Sequence, residues 1–282
     1  MRKILAMSEA ERRELYQMSD EFRRDVIAQR TAEASAAFLI PHLRPGMRLL
    51  DCGCGPGNIT VDLAKLVAPG EVVGVDLSEA DLASGRDLAL TRGVANVRFE
   101  QANLYWLPFA DGAFDVAFAH SVLEHLGDPL AALKEMRRVL RSGGMVGIAD
   151  PAWHRTLRYP TNAWLDMWDT LRPRAVERRG GHPLYVAEQR ALLRQAGFDR
   201  SEGFAMASGA ASGRGPAGTR EDTRRAAAAE VARLRDDFSV VALEDGWANQ
   251  AELDAMAKAL IEWGEHPDAY LLRPIVCAVG WA

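Results

Sequence analysis

Apolar positions recur at helical spacing among Arg, Glu and Ala residues from about Ser8 to Leu43, and Pro45-Gly46 closes that run. A short apolar stretch, MRLLDC, follows and reads as a buried strand. NITVDLAKLVA behind it returns to helical spacing until Pro69-Gly70 breaks it, and EVVGVDLS is a second apolar strand ending on an acidic residue. The rhythm then repeats: a helix over about Glu79–Thr91, a strand VRFEQAN, a strand FDVAFAH, a helix over about Pro129–Leu140 and a strand MVGIAD. Alternation of this kind predicts a parallel sheet with helices on both faces, because each parallel crossover needs a helix-length connection.

Past Asp150 the pattern changes. PAWHRTLRYPTNAWLDMWDTLRPRAV carries Trp153, Trp164 and Trp168 in a short span, which fits either a lid over a substrate or plain core packing. PLYVAEQRALLRQAGFDRSEGFAMAS reads as a helix, a glycine stop and a sixth strand. A small-residue joint, SGAASGRGPAG, leads to two helical stretches, about Thr219–Phe238 and Ala248–Trp263, before a closing strand in LLRPIVCAVGWA. The expected organisation is one domain: an N-terminal helical segment over 1–43, a core over 44–150, a lid insertion over 151–185, core again over 186–208, a helical insertion over 209–270 and a closing strand over 271–282. No internal repeat is evident.

Composition narrows the classes. A chain of 282 residues, 48% hydrophobic and 26% charged, can bury a substantial core, and its formal net charge of −5 argues against a nucleic-acid partner. The first residues lack the pattern of a secretory signal, and no stretch reaches membrane-spanning length, so a cytoplasmic location without a membrane partner is expected. Cys52, Cys54 and Cys277 are too few for a disulfide framework, and the C-x-C spacing of the first two is wrong for zinc; thiols and no metal are expected.

The chemistry concentrates at DCGCGPG, between the first strand and its helix. In a parallel α/β sheet, ligands bind beyond the carboxyl ends of the strands, and this first turn is the usual cradle. Its glycines permit positive φ and close approach, while amides and the helix N-terminus favour an anionic group. Gly53, Gly55 and Gly57 give G-x-G-x-G; a dinucleotide fingerprint would need glycine where Asn58 stands. Asp51, just before the loop, would repel a pyrophosphate but suits a ligand bearing an ammonium group. Asp76, ending the second strand, can accept from both hydroxyls of a ribose. Together they call for a nucleoside that carries an amino acid.

The stretches LLDCGCGPG, VVGVDLS, LPF, FDVAFAHSVLEHL and LRSGGMVGIAD, over roughly Arg44–Asp150, resemble the class I S-adenosylmethionine-dependent methyltransferases, in the branch of the quinone-biosynthesis type. The resemblance implies a Rossmann-like, doubly wound, mostly parallel sheet with N-terminal helices and helical lid insertions, S-adenosylmethionine as cofactor and a small-molecule acceptor. It places Asp51 and the backbone of Gly53, Cys54, Gly55 and Gly57 at the methionine end, Asp76 at the ribose, Leu77 against the adenine, and Asn103 with Leu104 near the adenine amino group. Asn103 stands where the branch often has an acid. His120 falls where the cofactor or substrate cavity is often lined, and it is the candidate general base or positioning group; Asp150, His154, Tyr159 and His182 are further candidates.

Each residue also has a plain structural reading. Asp51 and Asp76 can cap the following helices, Asn103 can satisfy a loop, His120 can be a hydrogen-bonded wall, and Glu124 and His125 read as structural. At the level of function the leading expectation is methyl transfer to a carbon, oxygen or nitrogen nucleophile of a small, mostly apolar acceptor. The alternatives are a protein that binds the same cofactor for cyclisation, decarboxylation or sensing, and a nicotinamide-dependent oxidoreductase. The oligomeric state is not legible.

Overall fold

The computed structural model describes residues 27, 29–208 and 219–282. Most of the expected N-terminal helix and nearly all of the small-residue joint lie outside them. The described residues form two compact units, one built from Arg30–Asp150, Leu184–Ala205 and Val276–Ala282, the other chiefly from Pro151–Pro183 and Met206–Ile275.

The first unit is the α/β unit. Its strands β1 (Leu49–Cys52), β2 (Val72–Asp76), β3 (Val97–Gln101), β4 (Phe114–His120) and β5 (Leu140–Pro151) stand in the order β3-β2-β1-β4-β5, with β8 (Tyr270–Trp281) beyond β5 and β7 (Arg200–Ser208) paired to β8. The ladders β1–β2, β2–β3, β1–β4 and β4–β5 are all parallel. Every residue of β1 is buried, as befits the centre of a sheet covered on both faces. The chain runs outward from β1 through β2 to β3 and then returns to β1's other side as β4. That reversal opens a crevice at the carboxyl ends of β1 and β4.

Helix α1 (Ala32–Ser35) is capped by Thr31 and tied to the next helix by Ala32 N–H donating to Asp62 at 3.3 Å. Helices α2 (Asn58–Val67), α3 (Glu79–Thr91) and α4 (Pro129–Val139) are the crossovers. Ser78 caps α3, and Asp128 with Pro129 at the first helical position starts α4. Phe99 of β3 explains three glycines. A Cβ at Gly57, Gly74 or Gly85 would come within 2.7–2.9 Å of its ring, so the ring occupies a slot that side chains would close. Helix α6 (Gln189–Gln195) completes the unit's helices after a 3-10 turn at Tyr185–Ala187. In 30–43, Leu39 packs so closely on β5 that a Cβ at Gly147 would meet it at 2.9 Å.

The second unit is mainly helical: α5 (Ala163–Arg178), α7 (Arg220–Arg233), α8 (Ser239–Glu244) and α9 (Gln250–Glu265), with β6 (Leu157–Tyr159) antiparallel to the first half of β8. Its core gathers Leu165, Trp168, Val231, Phe238, Leu253, Met256, Leu260 and Trp263. Thus Trp168 packs as core at 1% exposure, whereas Trp164 is 39% exposed. Helices α7 and α9 touch at Gly264, where Thr223 Oγ donates to the glycine carbonyl at 3.1 Å.

Candidate functional site

The residues singled out around the glycine loop meet at the crevice of the α/β unit. Leaving β1, the chain turns back on β2: Gly53 and Cys54 N–H both donate to the Val75 carbonyl, at 2.7 and 3.0 Å, and Gly57 N–H donates to Cys54 O at 3.1 Å. Gly55 N–H donates to Asp76 Oδ2 at 2.9 Å. The loop's own amides therefore shape the turn. Gly53, Gly55 and Gly57 have φ of 74°, 52° and 78°, in the left-handed region that glycine tolerates. A Cβ at Gly53 would strike Val122 at 2.5 Å, but one at Gly55 would meet nothing within 4 Å among the described residues. The loop is closed against protein at its ends and open at Gly55. The Cys54 side chain lies against β2, within 3.0 Å of where a Gly74 Cβ would stand.

Two carboxylates flank this opening. Asp51 is buried at 3% exposure, and its Oδ2 accepts from Thr60 Oγ1 of α2 at 2.7 Å. Burial lifts its pKa to about 7; the Thr60 hydrogen bond opposes this and the charge of Asp76 adds to it. It is a buried acid near half-ionisation at neutral pH, a state that an adjoining cation would relieve. Asp76 is also raised, first by burial, while the N–H groups of Ser78 and Gly55 pull it down. Asp76 Oδ1 accepts from Ser78 N–H at 3.0 Å, Oδ2 accepts from Gly55 N–H, and the Leu77 N–H also bonds the carboxylate, leaving it room for a further donor. Leu77 beside it is 47% exposed.

Asn103 Oδ1 accepts the Tyr105 N–H at 3.0 Å, a local turn that occupies the amide oxygen; Leu104 is buried. His120 ends β4. Burial first, then the charge of Arg30, lower its pKa to about 3, so the imidazole is neutral throughout the physiological range. Its Nδ1 lies 3.4 Å from Ser121 Oγ.

Asp150, at the end of β5, is fully buried and held by the protein. Oδ1 accepts from Val122 N–H at 2.8 Å, and the Tyr185 hydroxyl donates to Oδ2. Gln189 Nε2 donates in turn to the Tyr185 oxygen at 3.3 Å and to Val276 O at 3.1 Å. Burial and the neighbouring Glu124 carboxyl push Asp150 well above the ordinary carboxylate range. Its oxygens thus fix the turn after β4, which is a structural task. Glu124 is buried with His125 Nε2 3.6 Å from its Oε1. His154, Tyr159 and His182 belong to the helical unit.

The structure adds members that the sequence did not announce. Ser121 has φ of 56°, the one non-glycine residue with positive φ among the described residues, and it sits at the reversal between β1 and β4. Val122 closes on Gly53, and the charge of Arg30 acts on His120. The rarity of glycine after FDVAFAH hid the first, and no spacing rule links Arg30 to His120.

A family model described as methyltransferase domain matches residues 43–189. An uncharacterized methyltransferase of Schizosaccharomyces pombe is 39% identical over 133 residues, 45% of this chain and 48% of that one. A demethylmenaquinone methyltransferase of Staphylococcus aureus is 43% identical over 105 residues, 37% of this chain and 43% of that one. The chain spans about half the length of these curated relatives. A SAM dependent methyltransferase from Aquifex aeolicus, known by crystal structure, shares the fold with a TM-score of 0.51 at 21% identity, covering 68% of this chain and 92% of that one.

Proposed function

The chain belongs to the methyltransferase-domain family, and from that premise we propose that it transfers the methyl group of S-adenosylmethionine to a carbon, oxygen or nitrogen nucleophile of a small, mostly apolar organic acceptor. The observation that carries the reading is the pairing of a buried, cation-seeking Asp51 with a lone-pair-bearing Asp76 on either side of a glycine loop open at Gly55. A ligand with an ammonium group at one end and a vicinal diol at the other suits both. Pyrophosphate suits neither.

When bound, S-adenosylmethionine supplies a methyl group on a sulfonium, whose departing thioether is neutral. The chain's task is then positioning in a water-poor site. Asp51 takes the ammonium and Asp76 the ribose hydroxyls, Leu77 gives the adenine an apolar surface, and Asn103 Nδ2 offers it a donor. His120 stays neutral. With burial lowering its pKa to about 3 in the ligand-free chain, it accepts a proton poorly, which favours a positioning role for it over that of general base. The net charge of −5 favours a small-molecule over a nucleic-acid partner, and no helix among the described residues is long and apolar enough to cross a membrane.

Titration calorimetry with S-adenosylmethionine, its demethylated product and NAD tests the site. Binding of the first two at micromolar level, with no heat from NAD, is expected. Mass spectrometry of products from acceptor mixtures then separates methyl transfer, which adds one methyl group, from cyclisation or decarboxylation on the same cofactor, which does not. Failure of both adenosyl ligands to bind overturns the assignment.

A further inference from the structure

The helical unit holds a knot of buried arginines that methyl transfer does not account for. Glu230 of α7 accepts from Arg172 Nη1 of α5 at 2.8 and 3.0 Å, from Arg273 Nη2 of β8 at 3.1 Å and from the Trp168 indole at 2.6 Å. Arg158 of β6 is balanced separately, forking onto Asp169 at 2.9 and 3.1 Å. Arg172 and Arg273 are therefore two cations on one carboxylate. Their guanidinium carbons lie 3.5 and 4.5 Å from the ring centre of Trp153, and that of Arg233 lies 5.0 Å from it. Arg172 is only 7% exposed, yet its Nη2 has no acceptor among the described residues, and the same holds for Nη1 of Arg158.

A buried N–H without an acceptor and a surplus buried cation are both unfavourable. The electrostatics show the surplus. Burial resists ionisation of Glu230, but Arg172, Arg273 and Arg233 reverse this and hold its carboxyl below the ordinary range, while burial and the charge of Arg273 push the Arg172 guanidinium well down. An anionic ligand satisfies the orphaned Arg172 donor and offsets the positive surplus together.

We propose that Arg172, with Arg273, Arg233 and Trp153 around it, binds a monoanionic carboxylate carried by a small organic ligand. The planar guanidinium fork of Arg172 matches the two oxygens of a carboxylate. Trp153 and Arg233 are partly exposed, so the cluster reaches the surface. This site goes beyond the methyl-transfer reading and needs no cofactor.

The test is titration calorimetry of the full chain in chloride-free buffer, without S-adenosylmethionine, using acetate, benzoate, chloride and, as a neutral control, benzyl alcohol. The two carboxylates are expected to bind while chloride and benzyl alcohol give no heat. Arg172→Gln removes the orphaned donor and should weaken benzoate roughly tenfold or more, the size of a charged hydrogen bond. Glu230→Gln removes the carboxylate that competes for Arg172 and should tighten it; should Arg172→Gln not fold, this gain decides alone. Equal binding of chloride overturns the organic carboxylate in favour of a simple ion. Equal binding of benzyl alcohol, no binding, or benzoate binding indifferent to both substitutions overturns the site. Because no adenosyl ligand is present, failure here is distinguishable from failure of the methyltransferase reading.

Discussion

Asp51 joins a pKa of about 7 to a proposed contact with an ammonium group, and that combination fixes two pH dependences. Its folded pKa lies above its unfolded value, so the stabilisation it gives is full below about pH 4 and is lost as pH rises through 7. Urea unfolding of the ligand-free chain should therefore lose stability between pH 5 and pH 8, and Asp51→Asn should flatten that slope. Affinity for S-adenosylmethionine should run the other way, since the ammonium selects the ionised carboxylate. It should fall as pH drops below 7, with proton release at pH 7 visible as heats that differ between buffers of different ionisation enthalpy. Equal heats in all buffers would remove Asp51 from the ammonium contact. Tyr185 gives a complementary case: Tyr185→Phe deletes the donor to a fully buried Asp150 and should lower stability by about 1–3 kcal/mol, with cofactor affinity little changed.

Among the elements, the slot for Phe99 shows how β2, β3, α2 and α3 lock together beneath the glycine loop. Gly85 lies inside α3, where alanine would ordinarily gain up to about 1 kcal/mol of helix propensity. Here its Cβ would stand 2.7 Å from the Phe99 ring, and forcing a methyl into a packed site costs about 1–3 kcal/mol. Gly85→Ala should thus destabilise the chain, yet become neutral or stabilising when Phe99 is Leu; a double-mutant cycle on unfolding midpoints reads the coupling. The same elements show what sequence carries. The β/α alternation and the strand ends at Asp51, Asp76 and His120 were legible because buried parallel strands must be continuous apolar runs, and only glycines permit the turn after β1. Strand β6 was not: in Leu157–Tyr159 the buried position is an arginine, and its pairing with β8 lies more than a hundred residues away. Nor was the arginine knot, because Arg158, Arg172, Glu230 and Arg273 come from four elements whose meeting no local spacing records.

For the molecule as a whole, two cores imply two reporters. Five of the seven tryptophans, Trp153, Trp164, Trp168, Trp247 and Trp263, belong to the helical unit, whereas the glycine loop, Asp51 and Asp76 belong to the α/β unit. Tryptophan emission therefore follows chiefly the helical unit, while far-ultraviolet circular dichroism follows both. A ligand that binds one folded unit at a hundred times its Kd stabilises that unit by about 2.7 kcal/mol and nothing that unfolds independently of it. With separate cores we expect urea unfolding to show two transitions by dichroism, only one of which moves to higher urea on adding the demethylated cofactor product, while the emission midpoint stays in place. Benzoate should do the reverse, shifting the emission transition alone. If both probes instead move together with either ligand, the two units unfold as one cooperative body.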